Sequence, residues 1–387
     1  MKKELKNLFI GKFILGLISG FLLVAFPLYL SSQGYSLSNI GYVFGISMIF
    51  YGFLSFYFGS YSEYSGRLLV GIISIIVMIS SIILLGLSPF LSFTFALVIL
   101  VISKILFSLS ESILRNITKI RVLDLTHEKE LGSGFGLLIL FDSLGYGIGL
   151  LFGGIALSVL SFQNVLFGLI ILLLISLFFY NKSGDISYKA EKTNILNFSN
   201  FIKTSYLFKL VLLFNTILLL PAFLVDFLGL PLFQKEVLGM SNEHILIFLG
   251  IAWIVYGLAS RYGGGLYDKY GNKIFIISFL LIGTTSIFLA FVKDALLFSI
   301  ILIVDYLFFA LADPARFALS GIVSKENKGM LMSFFELFAI IPAAVAILFF
   351  EKLVNLFGFE FIFIFRGLIQ FISIFLLIYI NNLMKNK

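Results

Sequence analysis

The chain contains no cysteine, and only two histidines and one tryptophan occur among its 387 residues. Without cysteine there is no disulfide scaffold, no thiolate nucleophile and no cysteine metal site. Charge is scarce as well, at 12 per cent, where a soluble domain carries about a quarter. Sixty per cent of the residues are hydrophobic, and the mean hydropathy is +1.11. Polar surface could not cover that much apolar side chain, so a soluble globular protein is excluded. No G-x-x-x-x-G-K-[ST] loop is present, which argues against ATP-driven chemistry. Gly132-Ser-Gly134-Phe-Gly136 has the look of a nucleotide loop. It follows a basic segment instead of a strand and opens an apolar run, so it is set aside. The net charge of +7 is no nucleic-acid footprint either, because the basic residues are scattered singly between apolar blocks.

What is abundant is apolar sequence. A membrane span takes roughly 20 apolar residues, and punctuation divides this chain into twelve such runs. They are predicted near 8–30, 38–59, 68–88, 92–117, 133–160, 162–180, 205–230, 244–262, 273–292, 295–322, 330–350 and 359–381. Lys2, Lys3 and Lys6 precede the first run as in a signal peptide. The run is long and no A-x-A site follows, so an uncleaved first helix is expected. Connections are short except for the polar stretch 181–203, which divides the chain into a six-helix half at 1–180 and another at 204–387. With the N-terminus inside, 19 lysines and arginines fall in cytoplasmic segments and three, Lys235, Lys293 and Lys352, in external loops. The positive-inside rule then puts both termini and the linker in the cytoplasm of a cell-membrane protein. His127 and His244 fall in connections on opposite sides, so no metal site or catalytic triad can be built on them.

Two connections share a pattern. Between helices 2 and 3 the chain reads Gly59-Ser-Tyr-Ser-Glu63-Tyr-Ser-Gly66-Arg67. Between helices 8 and 9 it reads Gly264-Gly-Leu-Tyr-Asp268-Lys269-Tyr-Gly271-Asn-Lys273, exactly 205 positions on. Glycines allow a tight two-helix turn, and the acid can take an arginine from a neighbouring helix. Helix 5 carries Gly145-Tyr-Gly147-Ile-Gly149-Leu150-Leu-Phe-Gly153-Gly154, whose small residues four apart suit close packing of membrane helices. Helix 4 carries Lys104, Ser108 and Ser110, and the first helix ends Phe26-Pro27-Leu28.

These stretches resemble the major facilitator superfamily. The duplicated loops are similar to its motif A, the first copy with Glu63 in place of aspartate and one base fewer. The glycines of helix 5 are similar to motif C, which the family associates with antiport exporters, though Leu150 stands where the family has proline. The helix 4 stretch is loosely similar to motif B. The resemblance implies an all-α membrane fold of twelve helices in two pseudo-symmetric bundles, with a substrate site between them and alternating access. It implies a transporter and not an enzyme, a small-molecule substrate, contact with lipid, a monomer, and no cofactor beyond a proton gradient.

Charges inside spans cost about 2.5–3.5 kcal/mol each on insertion scales, so each is a functional candidate. Arg115 and Arg316 lie 201 apart and follow acids at i−4 and i−3, Glu111 and Asp313. With Glu63 and Asp268 they are expected to form gate clusters at the cytoplasmic end. Lys104 and Asp305 also lie 201 apart, which predicts matching depth and a substrate or coupling site. Asp142, ~15 Å into helix 5, is the best single candidate for a proton carrier; the alternative is a permanent pair with Lys104 on the neighbouring helix. Asp226 is expected near the external interface, and Arg366 in a structural pair. Efflux of amphipathic molecules is the first expectation. The second is import of a polar metabolite such as a sugar or organic anion. A polytopic membrane enzyme would need catalytic side chains clustered near one interface, and the sequence offers none.

Overall fold

A backbone in lipid must satisfy its own hydrogen bonds, and in an all-apolar sequence only helices do so. The computed structural model describes residues 3–127, 130–184, 204–323 and 328–385. Its elements are helices and short turns, with no strand among the described residues. The first half holds α1 (Lys3–Ser32), α2 (Leu37–Ser65), α3 (Arg67–Leu87), α4 (Phe93–Leu125), α5 (Leu131–Val159) and α6 (Phe162–Lys182). The second holds α7 (Tyr206–Glu236), α8 (Asn242–Tyr270), α9 (Lys273–Leu289), α10 (Ala295–Val323), α11 (Lys328–Leu348) and α12 (Glu360–Lys385). Among the described residues ten of these helices are long and apolar enough to cross a membrane alone. α9, with 17 residues, and the bent α11 complete the twelve expected spans.

Serine starts several helices. Ser36, Ser161, Ser205 and Ser241 each accept a hydrogen bond from the backbone N–H three residues on, which satisfies one of the free donors at a helix start. Polarity is inverted relative to a soluble protein. The most exposed large side chains include Phe95, Phe152, Phe291 and Phe375, as suits a lipid-facing surface, whereas Arg121, Arg366 and Asp305 are fully enclosed.

Several boundaries differ from the sequence expectation. α2, α4 and α8 run six to eight residues past their predicted ends, to Ser65, Leu125 and Tyr270. The motif A segments are therefore largely helical. Only Gly66 (φ 88°) and Gly271 (φ 60°) sit at the turns, in backbone conformations that favour glycine. α7 runs on to Glu236 because a π-helical turn at Val225–Gly229, just after Pro221, absorbs the missing proline N–H without ending the helix. A short helix, Phe350–Phe357, follows α11 at a 64° bend and was not expected. Most of the predicted linker, 185–203, lies outside the described residues.

The six helices of each half pack among themselves, and the halves meet mainly through α5 against α8 and α2 against α11. The α5–α8 seam is made of glycine. A β-carbon on Gly264 would fall 2.2 Å from the Gly132 carbonyl oxygen, and one on Gly147 would fall 2.6 Å from that of Gly250. The motif C glycines divide between two faces. Gly145, Gly149 and Gly153 press on α1, where added β-carbons would lie 2.1–2.2 Å from Phe13, Leu17 and Phe21. Gly154 instead faces Leu246 of α8.

Candidate functional site

Between the two halves lies a cavity of about 130 Å³, walled by α1, α4, α5, α7, α8, α10 and α11. Four acid–base pairs line it. Lys12 meets Asp142 at 3.0 Å. Arg115 reaches Glu111 at 3.4 Å on the same face of α4. Arg316 grips Asp313 through Nη2 at 2.5 Å and Nε at 2.7 Å. Lys119 pairs with Glu336, which ties α4 of the first half to α11 of the second. Buried charges need such partners, since an isolated one carries a large desolvation penalty. The rest of the wall is mostly apolar, with Leu23, Leu138, Ile139 and Leu219 beside aromatic rings. Trp253 packs on Tyr146 (5.1 Å), Tyr256 (5.3 Å) and Tyr306 (5.4 Å), and Phe223, Phe227 and Phe309 also line the cavity.

A family model described as the Major Facilitator Superfamily matches residues 8–312. The chain belongs to the major facilitator superfamily. Membership carries secondary transport as its general activity. The human organic anion transporter MFSD10 (TETRAN) is similar in structure, at TM-score 0.75 and 16 per cent identity, covering 97 per cent of this chain and 100 per cent of that one. A bacterial homologue of the iron transporter ferroportin, solved in an outward-facing state, is similar at TM-score 0.75 and 15 per cent identity, over 98 and 100 per cent. At these identities the likeness is one of fold. A comparison with curated protein sequences gives no match.

Within this facilitator fold, the predicted gate pairs on α4 and α10 form as their i+4 and i+3 spacing requires. The motif A acid of the second half does something else. Asp268 does not meet Arg316. Its carboxylate accepts from the Gly132 N–H (3.0 Å), the Ser133 N–H (2.9 Å) and the Ser133 hydroxyl (2.6 Å). It thus caps the start of α5 in the opposite half, where helix donors lack partners and a negative charge is favoured. Arg316 reaches Asn215 of α7 instead, at 3.3 Å. In the first copy, the surroundings of Gly59 and the side chain of Glu63 lie outside the described residues. Arg67 pairs with Asp124 at the end of α4, and Lys273 opens α9 exposed.

Lys104 and Asp305 do not meet and do not line the cavity. The Lys104 ammonium is boxed by the rings of Phe26 (5.8 Å), Phe44 (4.7 Å) and Phe107 (5.1 Å). Asp305 is fully buried against Arg366 of α12 at 2.8 Å and accepts from Thr285 of α9 at 2.5 Å. Asp305 turns into its own bundle, whereas Lys104 lines a smaller pocket between the halves, with Tyr51 and Glu111 on one side and Phe223, Phe227 and Ile340 on the other. The structural pairing of Arg366 is as anticipated. Asp142 does face the cavity, and its partner is Lys12, not Lys104. Asp226 is not interfacial but lines the cavity from the π-helical turn. Lys12, Lys119, Trp253 and Tyr256 were missed as site residues, as was Tyr306, which lies outside the cavity lining and donates to Asp226. Their signal in the sequence was weak: two lysines among many span-flanking ones, and aromatics in a chain with 48 phenylalanines.

Proposed function

We propose that the chain exports a small amphipathic molecule by alternating access, driven by inward proton flow, with the Lys12–Asp142 pair as the coupling element. The observation that carries this reading is the position of that pair. It stands in the cavity wall between α1 and α5, and α5 is also the helix that meets the opposite half along the α8 seam. A proton on Asp142 would cancel its attraction to Lys12 and free α1 from α5 at that level. Loss of the proton would restore the pair. The glycines Gly145, Gly149 and Gly153 bring α1 and α5 close enough for this to move α5. The similarity of that stretch to motif C supports export over import. The aromatic wall around Trp253 supports an amphipathic solute, since a sugar would need unpaired hydrogen-bonding groups and the cavity's charges are mostly spent on each other.

The test uses purified protein in proteoliposomes, with a panel of solutes and an imposed pH gradient. Asp142→Asn should abolish gradient-driven accumulation and leave solute exchange intact. A variant that folds and still concentrates solute against its gradient would remove Asp142 from coupling. Gradient-driven uptake in the opposite sense would reverse the assigned direction.

A further inference from the structure

Three tyrosines of the central region each donate a hydroxyl to a carboxylate. Tyr146 donates to Glu111, Tyr256 to Asp313 at 2.6 Å, and Tyr306 to Asp226 at 3.4 Å. In the first two cases an arginine completes the group, Arg115 and Arg316 respectively. In the third it does not. Among the described residues, no lysine or arginine nitrogen lies within 4.0 Å of the Asp226 carboxylate. The other two cavity acids, Asp142 and Glu336, hold Lys12 and Lys119. Five carboxylates therefore line the cavity, and four of them have a cation. Arg366, which acts on Asp226 only from beyond 4.0 Å, holds Asp305 outside the cavity wall.

We propose that the transported solute is a monovalent organic cation, an ammonium on an apolar or aromatic body, with Asp226 as its counter-ion. This rests on the transport reading above and narrows it to a substrate class. A carboxylate facing a low-dielectric cavity with one long hydrogen bond is poorly compensated, and an incoming cation relieves that penalty. The neighbouring wall suits the rest of such a molecule. Trp253 touches Tyr306, the partner of Asp226, and the faces of tryptophan and tyrosine attract ammonium groups. Asp226 stands on a π-helical turn, a distortion often found at functional sites. An anionic solute would find every cation of the cavity wall already paired. Lys104 lines a smaller pocket that shares Glu111, Arg115, Phe223 and Phe227 with this cavity, but its ammonium is held among three phenylalanine rings, and the benzenesulfonate comparison below tests whether it draws an anion.

Trp253 is the only tryptophan of the chain and lines the cavity, so its fluorescence reports binding without any transport. Full-length protein in detergent is titrated with benzyltrimethylammonium and tetraethylammonium. Neopentylbenzene, the neutral carbon isostere of the first, and the anion benzenesulfonate serve as comparisons. The cations alone should give a saturable change. Asp226→Asn should weaken the apparent affinity roughly tenfold or more, while Glu130→Gln, an exposed acid outside the cavity, should leave it unchanged. If Asp226→Asn does not fold, Asp226→Cys serves on the cysteine-free background. An anionic methanethiosulfonate should restore the response to cations, and a cationic one should not. The proposal is overturned if neither cation gives a saturable response, if Asp226→Asn keeps the wild-type affinity, or if benzenesulfonate binds as well. Because no gradient is involved, such a failure leaves proton-driven export of other solutes standing. Saturable cation binding without transport would count against the export reading alone.

Discussion

Lys119 and Glu336 show what a single buried charge does in this protein. Both are nearly enclosed, and their pair is the one ion bridge from α4 to α11 among the described residues. Removing one partner leaves a buried charge without its ion pair, which costs about 3–5 kcal/mol. Lys119→Met or Glu336→Gln should therefore lower the thermal unfolding temperature markedly. The double replacement Lys119→Met with Glu336→Met should recover most of the loss, because apolar packing then substitutes for both charges. A double variant no more stable than the singles would mean that the pair is held by its surroundings and not by charge. Arg121 is a different case. It donates to the Ser183 hydroxyl and to the Ser183 and Gly184 carbonyls, so it closes the end of α6 and needs no carboxylate.

α5 is the element on which the two halves turn. One of its faces packs on α1 inside the first half, and the other meets α8 across the interface. Alanine on the two faces should have different effects. At Gly149 a β-carbon would sit 2.1 Å from the Leu17 carbonyl, and overpacking a tight contact costs typically about 1–3 kcal/mol. Gly149→Ala should thus lower stability and, by parting α1 from α5, weaken gradient-driven accumulation without opening the termini-bearing end. At Gly264 the clash is with Gly132 of the other half, which can be relieved by parting the halves. Gly264→Ala should fold nearly as well and should increase labelling of cysteines placed in the cavity from the end that carries the termini. Asp268→Ala, which removes the three hydrogen bonds to Gly132 and Ser133, should act in the same direction. Equal labelling in both variants and the wild type would reduce this seam to static packing.

For the whole molecule, an even number of spans puts both chain ends on one side, and the distribution of basic residues predicts that this side is the cytoplasm. A cysteine at position 190, within the polar connection between the halves, should react with an impermeant maleimide only in inside-out vesicles. Reaction in right-side-out cells instead would invert the assigned topology. The glycine seam and the Asp268 cap act together at the termini-bearing end of the same interface. Opening of that end must therefore break a polar cap and a tight backbone contact at once.

Composition alone determined that this is a membrane protein, because apolar surface on this scale has only lipid or a core to face. Run length and punctuation determined the twelve spans, and the duplicated glycine–acid pattern determined the two-fold plan. The i+4 and i+3 ion pairs of α4 and α10 were equally legible, since helical geometry alone places those side chains together. Contacts between helices were not. A repeat offset gives position along the helix but not rotation about its axis, so Asp305 turned into its own bundle and Lys104 into a side pocket, while Asp226 turned into the main cavity. Lys12 found Asp142, and Asp268 found the start of α5, across 130 and more residues of sequence. Tertiary packing decided these partners because a buried charge pairs with whichever neighbour the fold brings within reach, and no local spacing in the chain encodes that distance.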